Sequence, residues 1–246
     1  MLRTEQNGIP LLQFKGLAAL PGVIHAVTTR AGGVSRPPFD SLNLGGDEDD
    51  PKAIAENRRL LCQALGIERL ATGRQVHGTG IAAVDGHVAP IPATDGICVD
   101  RPGVGLLIKQ ADCQAVILVA PGKVAANLHV GWRGSVANMP AAGVVFIKKR
   151  YGIAPAELYA AVSPGLGACC AEFVNHRVEL GHRFLLYQVR PDYFDLERVT
   201  VDQLMAAGVP PERIEKSGLC TRCGREFFSF RREGRTGRFG TVVALA

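Results

Sequence analysis

Short runs of apolar residues alternate with charged, helix-like segments from residue 23 to the last position of the chain. Four of these runs are rich in Val, Ile, Leu and Ala, as buried strands are, and they lie at residues 23–29, 104–109, 115–120 and 123–130. Pro121 and Gly122 separate the last two runs, which predicts a tight turn. We therefore expect these two strands to pair as a hairpin.

The clearest helix signal spans residues 50–66. Asp50 has the side chain of an N-cap, Pro51 suits the first helical position, and Gly66 suits the C-terminal stop. An acidic run at residues 47–50 precedes this helix. Negative charge is favourable at a helix N-terminus by about 0.3 to 1 kcal/mol per group, so the run is explained by the helix rather than by metal binding.

The rest of the chain continues the mixture of strands and helices without a repeat, a low-complexity tract or a long linker. The patterns predict a helix at 140–150, a strand at 158–163, a helix at 172–187, a short helix with Thr200 and Gln203 as a capping box, and terminal strands at 226–230 and 240–246. The predicted fold class is α+β, with residues 1–246 as one compact domain of mixed β-sheets flanked by helices.

Composition narrows the class of protein. Apolar residues make up 47% of the 246 positions, which is enough to bury a sizeable core. The net charge of +5 comes from 28 basic and 23 acidic residues, a balance that suits an anionic ligand without implying nucleic acid. No stretch approaches the roughly 18 to 20 uncharged apolar residues of a membrane span, and the N-terminus lacks a leader pattern. We expect a cytoplasmic protein with no nucleic-acid or membrane partner.

The seven cysteines form an odd set without the spacing of a small disulfide scaffold: Cys62, Cys98, Cys113, Cys169, Cys170, Cys220 and Cys223. Such a set favours free thiols, metal ligands or a nucleophile. The C-x-x-C of Cys220 and Cys223 has no second pair at zinc-ribbon spacing, so it is weak evidence for structural zinc, and Cys169 and Cys170 are interpreted as packing or pocket wall. Six arginines between residues 222 and 238 are interpreted as a solvated basic edge or an anion-facing wall rather than an RNA surface.

Cys113 and His129 are the residues with the most specific chemistry. The predicted hairpin folds back so that the start of its first strand meets the end of its second, which brings these two side chains together. His77 precedes another strand pattern and lies among glycines that allow close backbone approach. Two histidines and one cysteine suit Zn²⁺ and leave its fourth position open, as in catalytic zinc sites.

The same residues permit a second chemistry without metal. Cys113 as a thiolate, with His129 as its base, would form the pair of a thiol hydrolase or deamidase. A metal site needs His77 as a third ligand, whereas the pair does not. The spacing alone leaves both hypotheses open.

Nine motifs, in order along nearly the whole chain, resemble those of one family. They are TTRAGGVS (28–35), PFDSLNLG (38–45), ENRRLL (56–61), QVHG (75–78), ADC (111–113), HVGWRG (129–134), SPGLGACC (163–170), CTRC (220–223) and FFSFRREGRTGR (227–238). The chain resembles the laccase-domain proteins, also called the purine nucleoside phosphorylase or peptidoglycan editing factor-like family. So many ordered matches are much more specific than any one of them.

The resemblance implies that His77, Cys113 and His129 coordinate a catalytic Zn²⁺. It also implies phosphorolysis of adenosine, inosine and 5'-methylthioadenosine, and deamination of adenosine, which makes the expected protein a transferase and a hydrolase. The implied fold is of the type labelled a cytotoxic necrotising factor-like putative cysteine hydrolase. The chain differs from the family's usual residues at four positions, which are Gln110, Gln114, Val130 and Ser163. None of the four is an expected metal ligand, but changes beside Cys113 put the substrate preference in doubt.

Phosphorolysis needs an anion site, and the planar, permanently charged fork of arginine suits phosphate. Arg30, in a Gly- and Pro-rich loop, and Arg133, beside the expected metal, are the candidates, with Asn43 offering polar contacts. Each could instead brace its own loop or turn. Asp112 could accept a proton or orient a ligand, and Trp132 could stack on a purine or pack beneath the turn that holds His129.

Three other functions stay open at this stage. One is a hydrolase that uses Cys113 and His129 on an amide bond, including one that edits cell-wall precursors. Another is a non-catalytic binding module in which zinc is structural. A copper oxidase, the older name attached to the family, ranks last. His77, Cys113 and His129 provide one mononuclear site, and the sequence contains no His-x-His copper motif. Nothing in the sequence determines the oligomeric state.

Overall fold

Two six-stranded mixed sheets form the centre of the molecule, as seen in a computed structural model that describes residues 1–46, 48–84 and 90–246. The strands are β1 (Leu2–Gln6), β2 (Ile9–Gln13), β3 (Val23–Thr28), β4 (Arg69–Ala71), β5 (Ile81–Ala83), β6 (Gly96–Val99), β7 (Val104–Gln110), β8 (Gln114–Ala120), β9 (Val124–Val130), β10 (Tyr159–Val162), β11 (Gln188–Arg190), β12 (Tyr193–Phe194), β13 (Ile214–Lys216) and β14 (Phe239–Leu245). The helices are α1 (Lys15–Ala18), α2 (Pro51–Leu65), α3 (Trp132–Val136), α4 (Met139–Tyr151), α5 (His176–Glu179), α6 (Leu196–Ala206) and α7 (Phe230–Glu233), with 3-10 turns at Pro155–Glu157, His182–Tyr187 and Pro211–Arg213.

The first sheet has the order β1-β2-β3-β14-β7-β4, and the second has the order β13-β10-β8-β9-β6-β5. Three pairings are parallel (β4 with β7, β5 with β6, and β10 with β13), and the other pairings in these sheets are antiparallel. β11 and β12 form a separate two-stranded ribbon. The expected α+β domain with mixed sheets and flanking helices is therefore confirmed.

The alternation of side chains along the central strands explains why both sheets are so apolar. On β7, Leu106 and Ile108 enter a cluster between the two sheets, whereas Leu107 packs with residues of α2 on the outer face. On β8, Ile117 enters the same inner cluster, whereas Val116 packs with residues of α4 and α6. Successive strand residues point to opposite faces, so a strand buried on both faces is apolar at every position.

The predicted helix and hairpin are confirmed. The Asp50 side chain accepts a hydrogen bond from the backbone N–H of Lys52 at 2.9 Å, and Gly66 takes a left-handed conformation with φ of 64°. In the hairpin, β8 pairs with β9 from Ala120 opposite Val124 to Gln114 opposite Val130. Local capping and turn chemistry thus agree with the tertiary structure at these places.

Two of the predicted elements and one predicted helix cap are wrong. Residues 172–187 form a loop, the single turn of α5 and a 3-10 turn, because Gly181 takes a φ of 77° that interrupts the helix. Helix α6 begins after Asp195, whose side chain accepts from the backbone N–H of Arg198, so Thr200 lies inside the helix rather than at its cap.

The predicted strand at 226–230 is also absent. Phe227 and Phe228 are both fully buried in the same cluster between the sheets. Successive residues of a strand point to opposite faces, so a strand would not bring both side chains into one cluster. Ser229 then caps α7, since its side chain accepts from the backbone N–H of Arg232.

No helix in residues 1–46, 48–84 or 90–246 combines the length and the apolar character needed to cross a bilayer. The cytoplasmic location and the absence of a nucleic-acid partner stay predictions. Asp47 of the acidic run and His87 lie outside the described residues.

Candidate metal centre and cleft

The hairpin of β8 and β9 delivers two of the expected ligands. Ala115 lies opposite His129 in the strand register, and Cys113 immediately precedes β8. His129 is buried, with 3% of its surface exposed, and Cys113 is half-buried. The two side chains meet as the predicted turn requires.

His77 reaches the same place from the loop between β4 and β5. The ligand atoms of His77, Cys113 and His129 all lie within 4.8 Å of one another. The rings of His77 and His129 meet edge to face, with their centroids 4.8 Å apart. His77 is exposed and has a φ of 62°, which is uncommon for a residue with a side chain and is maintained only where its surroundings impose it.

Asp95, just before β6, is the residue that imposes this arrangement. Its buried carboxylate accepts four hydrogen bonds: from His129 Nδ1 (2.8 Å) and the backbone N–H groups of His77 (2.9 Å), Val76 (3.1 Å) and Gly78 (2.8 Å). The bond to Nδ1 leaves Nε2 of His129 to face Cys113. Carboxylates that hold a metal-binding histidine in this way fix its tautomer and its ring orientation.

The charges of these groups depend on one another. Burial raises the pKa of the Cys113 thiol, but the charges and hydrogen bonds of His129 and His77 outweigh it and bring that pKa down to about 6. Burial lowers the pKa of His129, but the Cys113 thiolate and Asp95 outweigh it and raise that pKa to about 9. A thiolate is the form of cysteine that binds a metal or attacks a substrate.

Gly131 makes room for the three side chains. A methyl group at this position would lie 2.8 Å from the Cys113 sulfur and 3.2 Å from a carbon of the His77 ring. The backbone of Gly131 has an ordinary φ of −81°, so close approach, and not conformation, requires glycine here. Gly134, three residues later, lacks this constraint, since its closest neighbour would be the His129 carbonyl oxygen at 3.5 Å.

A buried polar network supports Cys113 from behind, and three of the four residues that depart from the family's usual ones belong to it. The amide of Gln110 donates to the Cys113 carbonyl at 2.9 Å and to the Ser163 hydroxyl at 2.7 Å. Ser163 in turn accepts from the backbone N–H of Ala115 at 2.8 Å, and Gln114 accepts from Thr200 at 2.6 Å. These residues fix the backbone on both sides of the thiol.

The three donors lie in a cleft of about 1180 Å³. Its lining includes five basic side chains, which are Arg58, Arg74, Lys109, Arg231 and Arg238. It also includes an apolar group, which is Trp132, Leu166, Phe173, Leu196 and Phe230. Asp112 is the one acidic side chain among the described lining residues, so the cleft has a positive potential.

Asp112 lines this cleft and is held by the structure around it. One carboxylate oxygen accepts from the hydroxyls of Thr221 (2.6 Å) and Ser229 (2.7 Å), and the other accepts from the backbone N–H of Arg231 (2.6 Å). Its φ of 93° is a second strained conformation beside the metal ligands. The side chain ties the residue before Cys113 to the segment that carries Arg231.

The other predicted substrate residues make contacts within the protein instead of lining the cleft. The Arg30 guanidinium pairs with Glu233 at 2.8 Å and lies over the ring of Phe228. Asn43 is buried, and its side chain accepts from the backbone N–H of Arg238 at 2.7 Å. Arg133 is exposed and stacks on Trp132, with 4.1 Å between the guanidinium carbon and the ring centroid. The structure brings none of these three to the cleft lining that it describes.

Three residues of the cleft region were not predicted from the sequence, and they are Asp95, Arg58 and Lys109. Asp95 precedes the short run of β6, which pairs with β9 so that Gly96 lies opposite Leu128, beside His129. Recognising that run as a strand would have placed Asp95 next to His129. Arg58 lies in the predicted helix and Lys109 at the end of a predicted strand, where nothing local distinguishes a cleft-facing cation from a solvated one.

The fold and the site together define an α+β protein in which two histidines and one cysteine, a set able to hold a metal ion, converge in a basic cleft. The family model described as multi-copper polyphenol oxidoreductase laccase matches residues 24–246, so the chain belongs to that laccase-domain family. A protein named purine nucleoside phosphorylase YlmD, from Geobacillus stearothermophilus, is 35% identical, with 91% of this chain and 90% of that protein covered. A purine nucleoside phosphorylase from Deinococcus radiodurans is also 35% identical, over 97% and 94% of the two chains.

Solved structures agree with this assignment. The crystal structure of YlmD from Geobacillus stearothermophilus has a TM-score of 0.87 and 31% identity, covering 98% of this chain and 97% of that one. A Bacillus licheniformis hypothetical protein, YfiH, has a TM-score of 0.86 and 30% identity, with 97% of each chain covered. The resemblance seen in the motifs is confirmed.

The donor set fits a single metal ion. Two imidazoles and a thiolate that converge within 4.8 Å match a borderline-soft ion such as Zn²⁺, and three protein ligands leave one position open. Within the described residues, the other group able to hold a metal consists of four cysteines and contains no histidine. The described part of the chain therefore shows no histidine-rich cluster of the kind that a multicopper centre needs.

Proposed function

We propose that the protein is a zinc-dependent purine nucleoside phosphorylase that acts on adenosine, inosine and 5'-methylthioadenosine and also deaminates adenosine. Phosphate displaces the purine from C1' of the ribose, so the products are the free base and ribose 1-phosphate or its methylthio analogue. The observation that carries the proposal is the convergence of His77, Cys113 and His129 in the lining of a basic, partly apolar cleft. The relatives named purine nucleoside phosphorylase support the phosphorylase activity in this proposal.

Three cations are the candidates for holding phosphate. Lys109 and Arg58 both lie next to Gly45. A methyl group at this glycine would lie 2.5 Å from Cδ of Lys109 and 3.5 Å from Nη2 of Arg58, so the two cationic side chains are close to each other. Arg238 lines the same cleft as His77, Cys113 and His129. Burial lowers the pKa of its guanidinium, and the charges of Cys113, Glu48 and Asp112 oppose this. A dianion placed among these groups gains charge-assisted hydrogen bonds.

Fixed carbonyl contacts orient two of these cations in advance. Arg58 donates through Nε (2.9 Å) and Nη2 (2.8 Å) to the Leu44 carbonyl, and Arg238 donates through Nη1 to the carbonyls of Thr236 (2.6 Å) and Gly237 (3.0 Å). A guanidinium held in this way loses little entropy when it binds an anion.

The apolar part of the lining suits the base. Trp132 meets Phe173 edge to face, with 6.3 Å between ring centroids, and both rings line the cleft with Leu166. A purine stacked here would be shielded from water. The purine then departs with the electron pair of the glycosidic bond, and positive charge around it stabilises that transition state.

A Zn²⁺ ion held by His77, Cys113 and His129 would supply Lewis acidity at this point. The residues themselves do the rest: Asp95 holds the proton on Nδ1 of His129, Gln110 fixes the Cys113 backbone, and the cations position the phosphate. The His77 loop is kept in its left-handed conformation by the Asp95 carboxylate. The site is thus organised before any ligand arrives.

A second candidate function has one observation in its favour. Asp95, His129 and Cys113 follow one another in hydrogen-bond contact, and the Cys113 pKa is lowered to about 6, as in a thiol hydrolase that could act on amides such as peptidoglycan precursors. His77 would have no role in that chemistry although its ligand atom faces the same point. The metal-dependent reaction accounts for all three donors.

A substrate panel separates the candidates. Adenosine, inosine and 5'-methylthioadenosine are each supplied with and without phosphate to the metal-replete protein, to a chelator-treated sample and to the Cys113→Ala variant. We expect base release that needs phosphate, inosine formation from adenosine, and loss of both in the treated sample and the variant.

Other results would point elsewhere. Amide hydrolysis that survives chelation and stops on alkylation of Cys113 would establish the thiol hydrolase. Unfolding on chelation of a protein that turns over no nucleoside would establish a structural metal in a binding module. Zinc and copper are compared by reconstituting the stripped protein with each ion.

A further inference from the structure

Four cysteines from two distant segments meet on the side of the molecule that carries α5 and α7. Their sulfur atoms, from Cys169, Cys170, Cys220 and Cys223, all lie within 4.8 Å of one another. None of the four is in a disulfide. Two adjacent cysteines and one C-x-x-C pair thus form a set of four thiols that was not recognisable as a set from spacing alone.

The sulfur-to-sulfur separations fit four ligands of one metal ion. The sulfur of Cys223 lies 3.6 Å from that of Cys169 and 3.5 Å from that of Cys170. Four thiolates at the Zn–S distance of about 2.3 Å have sulfur-to-sulfur separations of about 3.8 Å. The observed distances are far longer than a disulfide bond of about 2.05 Å and close to the separations around a single ion.

The backbone around the four sulfurs is built to hold them together. Gly165 forms a parallel bridge with Cys220: the Thr221 N–H donates to the Gly165 carbonyl at 2.9 Å, and the Gly165 N–H donates to the Leu219 carbonyl at 3.3 Å. Gly167 allows the two segments to approach closely, since a methyl group at this position would lie 2.8 Å from Cβ and 3.4 Å from the sulfur of Cys220. The chain of the first segment is thus in direct contact with a cysteine of the second.

Positive charge compensates a tetrathiolate. Four thiolates and one divalent cation carry a net charge of −2, and Arg222 donates from Nη1 to the Cys170 sulfur at 3.7 Å. Arg190 donates to the Cys169 carbonyl at 3.1 Å, and Arg231 donates to the Cys170 carbonyl at 3.4 Å. Three guanidinium groups therefore surround the cluster.

The cluster also lies behind the wall of the cleft. Thr221, between Cys220 and Cys223, donates to the Asp112 carboxylate, and Asp112 is the residue before Cys113. Leu166, four residues before Cys170, lines the cleft. A metal that joined the two cysteine segments would keep this wall in place.

We propose that Cys169, Cys170, Cys220 and Cys223 bind a second, structural Zn²⁺ ion that braces the cleft wall. Binding converts four thiols into four thiolates and releases four protons to solvent. No position stays open on the ion, so it takes no part in the chemistry of the first centre. Tetrahedral sulfur ligation favours zinc, and one ion rather than a larger iron–sulfur core fits sulfurs this close together.

Metal counting tests the proposal with the whole protein, purified with a thiol reductant and without chelator. We expect two zinc ions per chain in the wild type, one in Cys220→Ser/Cys223→Ser, and one in His77→Ala/Cys113→Ser. Cys62→Ser is the control, because Cys62 is a half-buried free thiol on α2, and it should keep both ions. If the His77, Cys113 and His129 centre binds no metal, the wild type should hold one zinc ion. Cys220→Ser/Cys223→Ser should then hold none, and His77→Ala/Cys113→Ser should still hold one, which would support the four-cysteine site independently of the first centre.

Cobalt gives a readout that does not depend on activity. Co²⁺ in the His77→Ala/Cys113→Ser variant should show sulfur-to-metal charge-transfer absorption about four times as strong as in the Cys220→Ser/Cys223→Ser variant, because four thiolates replace one. The latter variant should also raise KM for nucleoside more than it lowers kcat. Equal metal content in the wild type and in Cys220→Ser/Cys223→Ser would overturn the proposal.

A measurement on the wild type covers the case in which a variant does not fold. Iodoacetamide is applied before and after a chelator, and the modified cysteines are mapped by mass spectrometry. We expect the four cysteines to be protected until one zinc ion leaves. Modification at the same rate in both conditions, or disulfide-linked peptides among the four, would refute metal binding.

Discussion

Asp95→Asn is the substitution that tests the organisation of the metal centre most sharply. The carboxylate accepts four hydrogen bonds, two at each oxygen. An asparagine side chain retains one oxygen, and its NH₂ group must face two donors. If the NH₂ group faces Val76 and Gly78, two N–H groups lose their acceptor; if it faces His129, the tautomer of that ring reverses.

The expected magnitudes follow from these contacts. A hydrogen bond to a charged group contributes about 1.5 to 3 kcal/mol, so the loss of two should lower the free energy of unfolding by at least about 3 kcal/mol. Removing the carboxylate that orients a metal-binding histidine weakens metal affinity by about 10- to 100-fold. We expect both effects together, measured by urea unfolding and by competition with a fluorescent zinc chelator.

Asp49→Asn is the matched control. Asp49 accepts from the side chains of Ser35 (2.7 Å) and Asn43 (2.8 Å) in the Gly- and Pro-rich loop, away from the donors. The control should lose stability while its metal affinity at the His77, Cys113 and His129 centre stays that of the wild type. An Asp95→Asn protein that binds zinc as tightly as the wild type would refute the reasoning.

Three further substitutions test separate parts of the structure. Gly131→Ala places a methyl group 2.8 Å from the Cys113 sulfur and should abolish metal binding at this centre, whereas Gly134→Ala should retain it; equal metal content in both would contradict the steric argument. Burial lowers the pKa of His25 to about 4, so the unfolded chain takes up a proton first as the pH falls from about 6.5. The contribution of His25 to stability should therefore be fully present above pH 6.5 and should fall by about 3 kcal/mol by pH 4. Unfolding experiments at several pH values should show a smaller loss of stability over this range in His25→Gln. Arg58→Gln should raise KM for phosphate about tenfold, the equivalent of one charge-assisted hydrogen bond, and an unchanged KM would remove Arg58 from the anion site.

Elements with local signals were predictable from the sequence. Helix α2 has its N-cap, its first-turn proline and its C-terminal glycine in sequence, and the hairpin of β8 and β9 has its turn. The meeting of Cys113 with His129 followed from that hairpin, because strand register is a local property once the turn is known.

Elements that depend on distant contacts were not predictable in this way. The segment before α7 has an apolar pattern because Phe227 and Phe228 fill the space between the sheets, which no local rule reveals. Thr200 fits the sequence pattern of a helix cap but lies inside α6, where its hydroxyl donates to the side chain of Gln114 at the start of β8. Tertiary packing overrides local propensity at such places.

The site divides in the same manner. The three donors were predicted from a short hairpin, a glycine-flanked histidine and the family motifs, but their common support, Asp95, depends on the pairing of β6 with β9. Arg30 and Asn43 are residue types common in ligand-binding loops. In the structure, however, Arg30 pairs with Glu233, and Asn43 accepts a hydrogen bond from the backbone N–H of Arg238, so both stabilise the loop. Composition cannot distinguish a polar group that faces a ligand from one that faces another loop.

We propose that phosphorolysis depends on a metal held by His77, Cys113 and His129. Its most direct test is phosphorus NMR of adenosine and phosphate with stripped protein to which zinc is added stepwise. We expect a ribose 1-phosphate signal that appears only as zinc binds and that is absent at every zinc level in Cys113→Ala. Metal dependence at these residues would be excluded by metal-replete wild-type protein that forms no ribose 1-phosphate, or by a variant that forms it as fast as the wild type.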